Sequence, residues 1–145
     1  MERQFTPGFG KALGRAISIT GQTMNYVGID IVEIDRLNQA IDRWRERFLR
    51  RIYTTSELEL YRTKPHSLAA RFAGKEAVMK VLGTAFSWQE IEILSLPSGK
   101  PRLNLYGKAS EEAGKLGVKE IAISLSHCRR YAVASAVGNR ENTHR

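Results

Sequence analysis

One cysteine, three histidines and four prolines are all the chain holds of those residues, and 15 acids face 23 lysines and arginines over 145 residues. Each scarcity excludes something. A lone Cys128 cannot close an internal disulfide, and so few histidines and cysteines leave no metal-ligand spacing for a zinc module. No stretch approaches the roughly 18 apolar residues that a membrane-spanning helix needs. The N-terminus lacks the continuous apolar core and small-residue cleavage site of a secretory signal, so a reducing cytoplasm is the expected compartment. A hydrophobic fraction of 42% excludes disorder as the main state, and the length suits one domain. What remains to be explained is a net charge of +8. It predicts an acidic partner, which charge alone leaves open among nucleic acid, membrane, acidic protein and phosphorylated metabolite.

Residues 1–24 differ from the rest. They carry Gly8, Gly10, Gly14 and Gly21, with Arg3, Lys11 and Arg15 against Glu2. Glycines weaken any helix over Phe9–Ile17. The segment reads as an N-terminal extension of unknown role: flexible, an upstream start ahead of Met24, or a basic transit sequence.

From Asn25 the pattern is regular. Tyr26–Ile34 is β-branched and predicts a strand, with Val27, Ile29 and Ile31 on one face. Residues 35–52 predict a helix capped at Asp35. Thr54-Thr55-Ser56-Glu57 predicts a second cap, and Lys64–Ser67 a break, with Ser67 capping a helix from Leu68 to Leu82 that ends at Gly83. Alternating residues 90–94 and 102–106 flank Pro97-Ser98-Gly99-Lys100-Pro101, the chemistry of a hairpin turn. A short helix over 108–116 precedes a final hairpin of 121–126 and 131–137. The fold class is therefore α+β, a single domain over 25–138 of antiparallel strands packed with helices, followed by a polar tail at 139–145.

Several side chains are placed where chemistry would explain them. Asp30 interrupts the most apolar strand: either it points to solvent, or it is paired or bound to metal. Glu76 falls beside Phe72 and Met79 on the helical wheel, where a carboxylate needs a partner or a task. Lys80, four residues on, offers an intrahelical ion pair. That pair alone does not explain a position beside the core. Asp30 and Glu76 together could hold one hard cation while leaving positions for water and phosphate oxygens, the usual mode of magnesium.

Between Arg36 and Arg51 there are six arginines against Asp42 and Glu46. At 100° per residue, Arg36, Arg43, Arg47 and Arg50 fall within about 60° of one another, beside an apolar stripe of Leu37, Ile41, Trp44 and Phe48. This is either a solvated face or an interface for an acidic partner, and a stripe of one sign next to aromatics favours the interface. His127, at a hairpin end before Cys128-Arg129-Arg130, is either structural or a phosphate contact. Cys128 has no evident base beside it and reads as a bystander.

Gly28-Ile29-Asp30-Ile31-Val32-Glu33-Ile34 and Arg71-Phe72-Ala73-Gly74-Lys75-Glu76-Ala77-Val78-Met79-Lys80-Val81-Leu82-Gly83 resemble the two signatures of the holo-[acyl-carrier-protein] synthases, bacterial 4'-phosphopantetheinyl transferases. Gly99-Lys100-Pro101 and Ser124-Leu125-Ser126-His127 match two further landmarks in order. The resemblance covers residues 25 to about 138. It implies a magnesium-dependent enzyme of lipid metabolism that moves 4'-phosphopantetheine from coenzyme A to a serine of an apo acyl carrier protein. By the same resemblance Asp30 and Glu76 hold the metal, Glu76 is the base, and Lys80 stabilises the phosphates. Gly99, Lys100, Pro101 and His127 would approach coenzyme A, while Arg36, Arg43, Arg47 and Phe48 would dock the carrier protein. A cytoplasmic homotrimer with active sites at subunit interfaces is implied too. Gly74 stands where alanine is usual, which should loosen the helix, and Cys128 stands where a hydroxyl residue is commoner. The competing expectations are a transferase for a polyketide or peptide synthase carrier domain and, on charge alone, a small nucleic-acid-binding protein. No binding motif for nucleic acid supports the last.

Overall fold

A computed structural model of the protein describes residues 25–140. The extension at 1–24 and positions 141–145 of the tail lie outside the described residues. Strand β1 (Asn25–Glu33) leads into helix α1 (Ile34–Ile52), α2 (Thr55–Tyr61) and α3 (Pro65–Leu82). A single 3-10 turn (Trp88–Glu90) precedes β2 (Ile91–Ser95) and β3 (Pro101–Leu105). Helix α4 (Gly107–Leu116), β4 (Val118–His127) and β5 (Tyr131–Arg140) complete the chain. Two antiparallel sheets result, one in the order β1-β5-β4 and the other β2-β3. The α+β class expected from the sequence is what the chain adopts.

Most boundaries follow the local chemistry. Thr54 caps α2 through a complete capping box with Glu57, and Gly83 and Gly117 close α3 and α4 in the left-handed conformation. Four expectations need correcting. Pro65 begins α3 rather than breaking the chain, because its missing N–H lies in the first turn, where that donor would be unpaired anyway. Helix α1 starts at Ile34 with Glu33 at the cap position, and Asp35 sits inside the first turn. Asn139 and Arg140 belong to β5 and not to a tail, since Asn139 pairs with Asn25 of β1.

The largest correction concerns α1. Arg45 has φ 45° and ψ −128°, so two helical segments meet there at a kink. The four arginines predicted to share one continuous stripe are therefore divided between two segments.

The core forms where α3 lies across the larger sheet. Ala73, Ala77, Val78 and Val81 of α3 pack against Ala134 and Ala136 of β5, all buried, and small residues on both elements allow the close approach. The opposite face of that sheet is uncovered. Val27, Ile29 and Ile31 are 65%, 61% and 64% exposed.

Helix α3 is anchored at its other side by buried charge. Lys75, fully enclosed, donates to Glu57 at 2.6 Å and to the carbonyls of Ile52 and Trp88 at 2.7 and 3.1 Å. Glu57 also accepts from the backbone of Thr54 and Ile93. Arg71 donates to Ile93 O and Ser95 Oγ, with its guanidinium 3.5 Å from the Tyr61 ring centre. Glu92 accepts from Thr54 Oγ1 at 2.6 Å, and from Asn104 and Tyr106 at 3.1 Å each. Burial pushes the Glu92 carboxyl up, but those three donors and the Lys75 charge outweigh it and hold it below its ordinary value.

A lowered carboxyl pKa stabilises the fold above the unfolded value, and that contribution is lost as pH falls through the folded one. Glu92→Gln should thus reduce unfolding free energy by about 1–3 kcal/mol at neutral pH. The deficit should narrow once pH drops below about 4. Urea unfolding at pH 7 and pH 3 measures both, and an equal deficit at the two would assign the effect to packing alone.

Candidate active site

The site begins with a missing side chain. A Cβ on Gly28 would stand 1.9 Å from the carbonyl oxygen of Ala77, so β1 can lie this close to α3 only with glycine there. Alternation along β1 then turns Tyr26, Gly28, Asp30 and Val32 toward α3, and Val27, Ile29 and Ile31 away. Asp30 consequently faces the helix, with its side chain 20% exposed.

Lys80 bridges the two elements. Its Nζ donates to Ile29 O at 2.7 Å and to Asp30 Oδ1 at 3.3 Å. Of the alternatives left by the sequence, the strand carboxylate is the partner of Lys80, and no Glu76–Lys80 ion pair forms among the described residues. Glu76 is half-buried on the same side of α3. Partial burial raises its carboxyl above the ordinary range, the nearby Asp30 charge adds to that, and Lys80 opposes it. Two carboxylates thus lie near one ammonium that pairs with Asp30 alone. Such a group has room for a cation's charge, and with two carboxylates rather than three it suits magnesium, which keeps its remaining positions for water and phosphate.

The other predicted residues divide among three places. His127 ends β4 and meets the start of α3, its ring centre 5.1 Å from that of His66 at a 48° tilt. The two line a surface cavity with Lys64, Ser67, Cys128 and Arg129. At 1.5 Å per residue along α3, His66 lies about 15 Å from Glu76, a span for an elongated ligand rather than a small one. Gly99, Lys100 and Pro101 form the β2–β3 turn, where Gly99 has φ 83° and Leu96 N–H donates to Lys100 O at 2.8 Å. Lys100 and Pro101 line a separate groove against Ile121, Ala122 and Ile123 of β4. Because β4 and β1 are the two outer strands of the sheet, this turn is not brought to Asp30 within one chain. On α1, Arg36, Arg43 and Arg47 are exposed, while Phe48 is half-buried against two core clusters.

Comparison with known proteins follows this geometry closely. Residues 26–136 match the family model of the 4'-phosphopantetheinyl transferase superfamily. A holo-[acyl-carrier-protein] synthase of Dehalococcoides mccartyi is 54% identical over 116 residues, covering 79% of this chain and 98% of that protein. The chain belongs to the holo-[acyl-carrier-protein] synthase family. Another synthase of this family, from Herpetosiphon aurantiacus, is 43% identical over 125 residues and covered to 98%. Among solved structures, the Helicobacter pylori synthase in complex with coenzyme A superposes with a TM-score of 0.70 at 32% identity, covering 77% of this chain and 98% of that one. The Plasmodium yoelii holo-ACP-synthase gives 0.74 at 27% identity, covering 84% and 100%.

Two contributors to this synthase fold escaped the sequence reading. The close contact at Gly28 has no local signature, since a glycine in a strand signals only a bulge or a near neighbour. Lys75 and Glu57 were each visible, Glu57 as a capping residue, but nothing local joins them across 18 positions. Gly74 also gains a meaning: a Cβ there would meet Ile93 Cδ1 at 2.6 Å and the tips of Leu125 and Ile123. The helix is filled at that point by its neighbours and not merely loosened.

These two glycines make a contrast that can be measured. Gly28→Ala must displace backbone and should cost about 1–3 kcal/mol or more, whereas Gly74→Ala meets side-chain ends that can rotate and should cost less. Thermal unfolding of both variants checks this, and equal losses would refute the backbone contact as the constraint.

Proposed function

We propose that the protein transfers the 4'-phosphopantetheine group of coenzyme A to a serine of apo acyl carrier protein, releasing adenosine 3',5'-bisphosphate. The observation that carries this reading is the meeting of Asp30, Glu76 and Lys80 where β1 crosses α3. The serine hydroxyl attacks the β-phosphorus of coenzyme A, a phosphorus–oxygen bond forms, and the bond to the bisphosphate leaving group breaks. Glu76 takes the hydroxyl proton, directly or through a water, and its raised pKa brings it nearer the operating pH of a general base. Lys80, already at the strand carbonyl of Ile29, donates to the phosphate oxygens as their charge redistributes. Asp30 and Glu76 would hold magnesium, which when bound neutralises pyrophosphate charge. His127 fits the far end of the nucleotide, given its place beside His66 at the start of α3.

The basic face of α1 is assigned to the acidic carrier protein, with Arg36, Arg43 and Arg47 exposed toward it. No described helix is long and apolar enough to cross a membrane. The cytoplasm is proposed as the compartment on the family resemblance alone. Incubation with coenzyme A, magnesium and an apo acyl carrier protein should give the mass gain of one phosphopantetheine arm. Asp30→Ala and Glu76→Ala should abolish that gain and also remove the rise in melting temperature that magnesium produces. Near-normal transfer by either variant would refute its role.

We further propose a homotrimer. The uncovered sheet face of Val27, Ile29 and Ile31 is contiguous and apolar, which marks an association surface. In such a trimer the Lys100 turn of one subunit would complete the site at the Asp30 edge of the next, as the family resemblance implies. Ile29→Glu should give monomers in sedimentation velocity, with an unchanged circular dichroism spectrum and lost transfer. A monomeric unaltered protein that transfers at full rate would overturn the trimer.

A further inference from the structure

Helix α3 lacks the feature that normally sets how a helix is turned about its axis. Twelve of its 18 residues are buried, and at about 100° per residue they spread around most of its circumference. A helix with one apolar stripe is oriented by that stripe, whereas one that is apolar nearly all round is not. The sheet side adds little grip, since Ala73 and Ala77 meet Ala134 and Ala136. The Gly28 contact with Ala77 O sets how near β1 comes. Yet α3 carries Glu76, whose place opposite Asp30 depends on that turn.

Directed bonds supply the missing restraint. Lys75, next to Glu76 in the chain, is fully buried. Its ammonium has three N–H donors, and each meets an acceptor from a different part of the fold. Glu57 Oε1 of α2 lies at 2.6 Å, Ile52 O at the end of α1 at 2.7 Å, and Trp88 O of the 3-10 turn at 3.1 Å. Glu57 is fixed in turn by the N–H groups of Thr54 and Ile93, from which it accepts at 2.9 and 3.0 Å. Stability does not explain such a pair, because apolar residues of similar volume serve as well or better. What apolar residues do not provide is direction. A carboxylate about 6 Å from a helix axis moves about 1 Å when the helix turns by about 10°. A misplacement of about 1 Å costs up to about a hundredfold in rate.

We infer that Lys75 is a positioning residue for the reaction: held by Glu57, it fixes the rotation of α3 that sets Glu76 opposite Asp30. It acts through the helix and touches no substrate, since its ammonium is enclosed by α1, α2 and the 3-10 turn. This rests on Glu76 serving the transfer proposed above.

Two variants test the assignment, each measured at a temperature where circular dichroism shows it folded. Lys75→Met/Glu57→Gln removes the ammonium together with the charge it would leave behind. Glu57→Asp keeps the pair but draws the carboxylate back by one methylene, so the lysine and its helix must follow. The first should lower kcat about a hundredfold and the second about tenfold, with the KM for apo carrier protein within about twofold. Manganese binding gives a reading that needs no turnover, followed by the electron paramagnetic resonance of the free ion with coenzyme A present and carrier absent. Its dissociation constant should rise about tenfold in the first variant, because Asp30 and Glu76 no longer meet one ion together. Glu92→Gln is the control, since none of the three hydrogen bonds to Glu92 reaches α3. It should lose stability while kcat and manganese affinity stay within about twofold. Unaltered kcat and manganese affinity in both folded variants would overturn the assignment. So would loss of the fold in both, which would leave the pair a role in stability alone, or a control that falls as far as the variants. Absence of transfer by the unaltered protein would instead overturn the reading of function.

Discussion

The contact between β1 and α3 at Gly28 governs the rest of the molecule, because it is backbone against backbone. A strand that can approach a helix only where a Cβ is absent has no freedom to slide. One residue of slip would put Ile29 or Val27 against Ala77 and turn Asp30 to the other face. With that contact made, Lys80 reaches a carbonyl and a carboxylate of the strand, and Glu76 comes near enough to Asp30 to feel its charge. A small packing constraint thus produces a concentration of negative charge that a folded chain would ordinarily avoid. Its cost would be offset by the cation and phosphates of the proposed reaction.

The opposite flank of α3 carries the complementary arrangement. There Lys75, Glu57, Arg71 and Glu92 are buried with every described side-chain polar atom satisfied. Removing one partner from such a group is far more damaging than replacing the whole by apolar residues, so its value is better sought in position than in net stability. It ties the α1–α2 corner, the 3-10 turn and β2 to one turn of α3. The neighbouring residue in the chain is Glu76. A helix fixed on one side by hydrogen-bonded charge cannot rotate Glu76 away from Asp30 on the other.

Much of the fold could be read locally. The capping box at Thr54, the glycines closing α3 and α4, and both hairpins follow from side chains acting on their own backbone. The failures share a cause. Arg45 sits in a sequence with good helical propensity, and its positive φ has no local signature. Val27, Ile29 and Ile31 share one face, as their alternation implies, but that this face is the outer one follows only from Gly28 and Asp30 facing α3. Phe48 and Trp44 look interchangeable on a wheel until the kink separates them.

The sequence by itself determined the α+β class, the order of elements and the family, because periodicity, caps and contiguous signatures are properties of neighbouring residues. It also singled out Asp30 and Glu76, since a carboxylate on an apolar face is costly whatever surrounds it. Which partner each charge takes was decided only by the tertiary structure. Lys80 chose Asp30 over Glu76, Lys75 chose Glu57, and the Lys100 turn was left on the far edge of the sheet. Coulombic attraction and backbone contact depend on distance in space, and residues far apart in sequence acquire that distance only when β1 has crossed α3.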